Sequence, residues 1–325
     1  MQYRTIGRTG ISISEIGFGA WGIGGGWGPT QDQQSLNALR HAFDQGINFY
    51  DTAMGYGNGH SEQLIGKAFK NDREKVVIAS KISPKTMIWP VKDSDPISET
   101  FPADWIIQCT ENTLRNLGSD YLDVQQLHAW TNAYVEQTEW LEALQKLKQQ
   151  GKIRAFGVSA NDWDPYGTVN LARTGWIDTV QVIYNIFEQR PEEQLFPAVL
   201  EAGVGIFARV PFEEGLLTGS FPPGYQFPEG DWRGRWLTPE RLEIAWPKVQ
   251  ALKAYLAPDR PTLAALALKF ILSHPAVTSV IPGMRRLENV DANAAVSDGI
   301  LLPEDVQLEL DRHKWWHGWY YPWNA

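Results

Sequence analysis

Along the chain, short and almost unbroken apolar runs alternate with longer stretches in which apolar positions recur every three or four residues. The short runs cover residues 16–21, 48–53, 76–82, 121–128, 153–160, 179–185, 205–212 and 277–284. Rich in Val, Ile and Phe and without strict alternation, they predict strands buried on both faces, as in a parallel sheet. Between them, Leu36, Leu39, Ala42 and Phe43 share one face of an early helical stretch, and Trp140, Leu141, Leu144 and Leu147 one face of a later one. Gly46, Gly118, Gly151, Gly175 and Gly203 each stand where a helix must end before the next strand, a position that favours a left-handed residue.

Seven strand–helix repeats followed by an eighth strand predict an α/β fold, a (β/α)8 TIM barrel rather than an open doubly wound sheet. Two segments depart from the repeat. Residues 3–14, with turn signals at Gly7 and Gly10, predict a hairpin ahead of the first barrel strand. Residues 213–261 exceed an ordinary βα connection; their Pro-, Gly- and Trp-rich first half reads as a loop, and 239–256 as an added helix. No linker or low-complexity segment interrupts the pattern, so residues 1–325 are expected to form one barrel domain. A barrel of this kind needs about 250 residues, which leaves room for both additions.

The net charge of −9 supplies no overall basic field to recruit nucleic acid or acidic lipid. No apolar run is long enough to span a bilayer, and the N-terminus lacks the apolar core of a signal peptide. With Cys109 the only cysteine, no internal disulfide can form. These features point to a soluble protein of the reducing cytoplasm.

Gly17, Gly19 and Gly22 satisfy G-x-G-x-x-G, the dinucleotide fingerprint of the Rossmann fold. That motif must open a helix whose N-terminus holds the pyrophosphate. Here more glycines and Pro29 follow, and helical periodicity begins only near Gln31. The expectation is a glycine-rich loop bordering a ligand, not a Rossmann turn.

In a (β/α)8 barrel the strand C-termini and the loops after them build the active site. The second strand ends at Asp51, with Tyr56 on the loop that follows; the third ends at Lys81 and the fourth at His128. Singly, these read as a cap, a surface charge, a packing histidine and a rim aromatic. At consecutive strand ends they face one mouth and suit one task. A phenol is a poor acid near neutrality. A lysine beside Tyr56 lowers its pKa, with Asp51 holding the lysine, while His128 polarises a substrate oxygen. Tyr56 then donates a proton to a carbonyl oxygen as hydride reaches the carbon. No metal-ligand spacing or nucleophile elbow competes for this mouth. A barrel lyase using Lys81 as a Schiff-base amine is a competing reading, disfavoured by the adjacent Tyr56 and Asp51.

The segments IGFGAW (16–21), DTAMGYG (51–57), GVSAN (157–161), GLLTG (215–219) and IPGMRRLENVDAN (281–293) occur in an order and spacing that resemble the aldo-keto reductase superfamily over nearly the whole chain. The resemblance implies that Asp51, Tyr56, Lys81 and His128 match the family's catalytic tetrad. It places Ser159, Asn161 and Gln181 at the nicotinamide carboxamide, although Ala160 stands where an asparagine often follows the serine. Arg209 falls where many members stack an aromatic ring on the nicotinamide. Gly19, Ala20, Trp21, Val210, Pro211, Gly215, Leu217, Gly219 and Gly283 complete the implied cofactor contacts, the 215–219 turn lying at the pyrophosphate. Arg285, Asn289 and Asn293, with Arg286 as a weaker candidate, match the segment that grips the adenosine end. Paired guanidinium groups also suit the 2′-phosphate dianion, which favours NADPH over NADH.

Tryptophan is unusually abundant, with 15 residues. Trp21, Trp27 and Trp89 lie on loops expected at the mouth; Trp315, Trp316, Trp319, Tyr320, Tyr321 and Trp323 crowd a C-terminal aromatic loop. Trp21, Trp27, Trp89 and Trp319 are candidate walls of a pocket for an apolar, aromatic or sugar-like carbonyl. A tail packed on the outside of the barrel is the alternative. The expected function is NADPH-dependent reduction of an aldehyde or ketone, or the reverse oxidation of an alcohol or sugar. The other reading on this fold is an NADP(H)-binding, redox-sensing regulatory subunit.

Overall fold

The computed structural model describes residues 1–25 and 30–319. Its first element is the expected hairpin, β1 (Tyr3–Thr5) paired antiparallel with β2 (Ser12–Ser14). Eight parallel strands follow: β3 (Phe18–Gly19), β4 (Phe49–Asp51), β5 (Val77–Ile82), β6 (Leu122–Leu127), β7 (Ile153–Ser159), β8 (Thr179–Ile183), β9 (Gly205–Arg209) and β10 (Val277–Val280). They pair in chain order, and the bridges Ile16–Val280 and Gly19–Gly283 join the first strand to the last. The sheet is thus closed into the expected barrel. Each strand is shorter than its apolar run, and in most of them the run continues into the buried start of the loop above.

The helices are α1 (Asp32–Asp44), α2 (His60–Ala68), α3 (Ile97–Thr100), α4 (Ala103–Leu117), α5 (Glu139–Gln149), α6 (Val169–Thr174), α7 (Pro191–Ala202), α8 (Arg233–Trp236), α9 (Pro239–Ala251), α10 (Leu263–Ser273), α11 (Leu287–Ala294) and α12 (Glu304–Asp311). Single turns of helix, α3 and α8, sit within long connections. The helix expected over 239–256 is α9 followed by a 3-10 turn at Leu252–Tyr255. Gly118, Gly175 and Gly203 cap α4, α6 and α7 in the left-handed conformation, as their positions required.

Two apolar layers hold the barrel. The larger lies between sheet and helices, and takes in Leu39 and Ala42 of α1 and Trp140, Leu141, Leu144 and Leu147 of α5. The smaller fills the lower barrel: Phe49, Val77, Ala79, Val124, Ala155, Phe207 and Ile281 pack with Ile6, Ile11 and Ile13. The hairpin therefore plugs the N-terminal end, leaving the other end to carry chemistry.

Close strand packing needs a glycine on β7. A Cβ on Gly157 would lie 2.0 Å from the Thr179 carbonyl oxygen. Gly157→Ala is expected to destabilise the protein by at least about 1–3 kcal/mol, read as a lowered urea midpoint at unchanged slope.

Candidate active site

The inward-facing positions along the barrel strands change from apolar to polar near the top. Phe49 is followed two residues on by Asp51, Val77 and Ala79 by Lys81, and Val124 by Gln126, with His128 just past the end of β6. A period of two keeps each series on one face, so the polar residues are delivered into the same upper layer. Lys81 is fully buried there. Its Nζ donates to Asp51 Oδ2 at 2.6 Å and to the Thr52 carbonyl at 2.7 Å, and lies 3.4 Å from Tyr56 Oη. Asp51 Oδ1 accepts from Gln181 Nε2 at 2.8 Å, so both carboxylate oxygens are occupied.

Tyr56 is carried on the loop after β4. The 3-10 turn Gly22–Gly24, where the misleading glycine motif ends, packs against that loop. A Cβ on Gly24 would lie 2.9 Å from the Tyr56 carbonyl carbon. The glycines thus serve close approach beside the site, and the next helix begins only at Asp32. Trp21 meets the Tyr56 ring edge-on at 4.9 Å, and His128 stands at 6.0 Å from it, with Trp89 at 6.2 Å from His128. The four residues singled out at the strand ends, and two of the four proposed wall tryptophans, come together here.

Electrostatics refine the sequence expectation for Tyr56. Burial pushes its phenol above the ordinary value, and the opposing pull of Lys81 is the smaller influence. The charge of Asp51, which pairs with Lys81, offsets part of that pull and raises the phenol further. Tyr56 therefore holds its proton at neutral pH.

His128 is pushed well below its ordinary value by burial and by the positive charges of Lys81 and Arg209. Its ring has no hydrogen-bond partner among the described residues, and Nδ1 is buried. The imidazole is neutral at physiological pH. Because its folded pKa lies below its unfolded one, its linkage contributes nothing well above about pH 6.5 and destabilises the fold as pH falls below that. In an NMR titration the His128 ring is expected to show no protonation step near pH 6.5; a normal step there would remove the neutral-imidazole assignment.

The remaining candidates form an arc around the mouth. Ser159 is buried at the end of β7, in register beside Gln181. Asn161 donates through Nδ2 to the Val91 carbonyl at 2.9 Å, while its Oδ1 is buried with no partner among the described residues. Arg209 ion-pairs with Asp162 and donates to the Ala160 carbonyl. After β9 the backbone turns sharply, with positive φ at Val210, Glu213, Glu214, Gly215 and Gly219; Pro211 and Leu217 are buried within this turn. Ala20 donates its backbone N–H to the Asp51 carbonyl, and Gly283 bridges to Gly19.

Arg285 is half-buried just past β10, with Asn289 and buried Asn293 on α11 beyond it. Burial and the like charges of Arg233 and Arg286 push the Arg285 guanidinium below its ordinary value, with Asp231 pulling the other way. Arg233 and Asp231 come from the long connection after β9, which sequence reading treated only as loop. Arg233, itself ion-paired with Asp231, adds its charge to that of the expected arginine pair.

Trp319 belongs to a second aromatic cluster with Trp236, Trp315 and His317, held by Trp236 Nε1 donating to the Trp319 carbonyl at 2.9 Å. His317 Nε2 lies 2.9 Å from Glu213 Oε1, a buried pair, and Asn185 Nδ2 donates to Glu213 Oε2 at 2.6 Å. The C-terminal segment is therefore tied to the turn after β9. Trp27, Tyr320, Tyr321 and Trp323 lie outside the described residues. Sequence reading missed Arg233, Glu213, Asn185 and His317; the Trp-rich character of the two segments they join was the one signal available.

A barrel mouth with a lysine–carboxylate pair touching a tyrosine, and a histidine beside it, can be compared with known proteins. Residues 15–314 match the model of the aldo/keto reductase family. The chain belongs to the aldo/keto reductase family. It is an oxidoreductase on that ground. It is 32% identical over 311 residues to aldo-keto reductase YhdN of Bacillus subtilis, covering 94% of this chain and 91% of that one. It is 30% identical to an NADH-specific methylglyoxal reductase of Escherichia coli, covering 95% and 97%. Among solved structures, an aldo/keto reductase from Klebsiella pneumoniae in complex with NADP and acetate superposes with a TM-score of 0.68 at 27% identity, covering 96% of this chain and 95% of that one. No helix among the described residues is long and apolar enough to cross a membrane.

Proposed function

We propose that this aldo/keto reductase reduces an aldehyde or ketone with NADPH, with Tyr56 as the proton donor. The observation that carries the reading is the unbroken chain Gln181–Asp51–Lys81–Tyr56 at the mouth. Bound NADPH supplies the hydride that the carbonyl carbon receives. The chain's own residues handle the oxygen. His128, neutral, donates a hydrogen bond that polarises the carbonyl, and the protonated Tyr56 gives up its proton as charge develops there. Lys81 lies close enough to stabilise the phenolate left behind, and Asp51 and Gln181 keep it in place. Solvent then returns the proton to Tyr56.

The donor set fits the cofactor. The buried, unpartnered Oδ1 of Asn161, next to Ser159 and Gln181 at the strand ends, suits a carboxamide. The left-handed turn from Val210 to Gly219 suits a diphosphate. Arg285, with the positive charges of Arg286 and Arg233 acting on it, suits a 2′-phosphate, and this favours NADPH although a relative of similar identity is named as NADH-specific. Trp21 and Trp89 beside Tyr56 and His128 form an aromatic wall for the substrate.

The test of the cofactor assignment is fluorescence titration of the tryptophans. Arg285→Ala is expected to weaken NADPH binding by about 10- to 100-fold, the loss of one charge-assisted contact, and to leave NADH binding unchanged. Equal losses for both cofactors would overturn the 2′-phosphate role. The reaction itself is tested by NADPH consumption with a panel of aldehydes, ketones and sugars; tight NADPH binding without turnover in either direction would overturn the reductase reading.

A further inference from the structure

Of the five residues other than glycine that hold positive φ among the described residues, three lie in the turn after β9: Val210, Glu213 and Glu214, at 54°, 47° and 53°. Such backbone is unfavourable for any side chain, and most of all for a β-branched one, so it persists only where its surroundings impose it. Side chains from two other parts of the protein do so here. The Glu213 carboxylate is fully buried, with Oε2 accepting from Asn185 Nδ2 at 2.6 Å and Oε1 lying 2.9 Å from His317 Nε2. Asn185 Nδ2 also donates to the Val210 carbonyl at 3.0 Å, so one amide holds both ends of the bend. Its Oδ1 is fixed in turn by the backbone N–H groups of Phe187 and Glu188. His317 comes from the far end of the chain. The Trp319 N–H donates to its Nδ1 at 3.1 Å, which puts the ring proton on Nε2, facing Glu213. The ring packs between Trp315 and Trp319, with centroids at 5.0 and 4.5 Å. On one side of it the Trp315 N–H donates to the Phe187 carbonyl; on the other the Trp319 carbonyl accepts from Trp236.

We propose that His317, acting through Glu213, is a positioning residue for the cofactor: it holds the turn after β9 in the left-handed form that receives the diphosphate of NADPH. A carboxylate is a poor group to set against a diphosphate. Both oxygens of Glu213 are turned onto donors within the protein, so what it contributes is the shape of the backbone. The turn starts at the mouth, since the charge of Arg209, the residue before it, acts on both Tyr56 and His128. Linkage makes the effect mutual: cofactor on the turn steadies the C-terminal segment to the degree that the segment steadies the cofactor. This role rests on the assignment of the diphosphate to that turn.

Calorimetric titration with NADPH and with adenosine 2′-monophosphate, which has the 2′-phosphate and no diphosphate, tests the role. His317→Phe keeps a ring between the two tryptophans and removes the donor; His317→Gln removes the ring and keeps an N–H donor. His317→Phe is expected to weaken NADPH binding about tenfold and to leave adenosine 2′-monophosphate binding unchanged. In turnover it should raise KM for NADPH without lowering kcat. His317→Gln should recover most of the affinity. His317→Phe binding NADPH as tightly as the wild type, or His317→Gln binding it as weakly as His317→Phe, would overturn the proposal. Equal losses for the two ligands would also overturn it, because a general loosening of the fold does not single out the diphosphate. Hydrogen exchange on the wild type needs no variant: saturating NADPH should slow exchange in residues 213–219 and 315–319 together. Slowing in 213–219 with 315–319 unchanged would overturn the role of His317 alone. NADPH that binds without slowing 213–219 would instead overturn the diphosphate assignment beneath it.

Discussion

Tyr56→Phe is expected to lower kcat for carbonyl reduction by about 10²- to 10⁴-fold, the usual worth of a positioned general acid, while NADPH binds as before. The phenylalanine ring can keep the edge contact with Trp21, so the pocket wall survives and only the proton is lost. Burial keeps the Tyr56 phenol above its ordinary value, so the donor stays protonated across the neutral range. The rate should therefore be insensitive to pH there, and His128, held below its ordinary value, should add no step near pH 6.5. Stopped-flow measurement of the hydride step with both proteins checks this. Comparable rates for the two would leave proton donation without a donor in this mouth and end the assignment.

The second large effect concerns stability as well as rate. Lys81→Met is expected to destabilise the fold by about 3–5 kcal/mol, the cost of leaving one partner of a buried ion pair alone. Lys81 is fully buried, and its removal leaves Asp51 inside the barrel with Gln181 as its remaining side-chain donor. The double variant Asp51→Asn/Lys81→Met should recover part of that loss, since no uncompensated charge then remains. Activity should stay low in both, because neither can steady a Tyr56 phenolate. Urea unfolding of the three proteins decides it: a double variant less stable than Lys81→Met would show that the pair contributes more than mutual compensation.

Much of this architecture was legible because burial on both faces leaves a continuous signature. The eight apolar runs marked all eight barrel strands, and the helix-ending glycines at 118, 175 and 203 marked where the chain turns back. The mouth was legible for the same reason. The inward-facing positions of the lower barrel are apolar, so Asp51 and Lys81 at the strand tops announced themselves. The hairpin was readable from Gly7 and Gly10, although nothing in its composition says that Ile6, Ile11 and Ile13 fill the barrel floor.

The sequence by itself determined the repeat, the strand order and the four side chains at the mouth, because these follow from local periodicity and from a closed parallel sheet. Only the tertiary structure decided which influence wins among them: burial of Tyr56 outweighs the pull of Lys81, so the phenol rises where sequence reading expected it to fall. It also decided what the irregular segments touch. The charge of Arg233, on the long connection after β9, acts on Arg285, and His317 ties the C-terminal segment to Glu213. Segments without a repeating face carry no record of their direction. Where they land is settled by the surfaces that barrel closure leaves for them to cover.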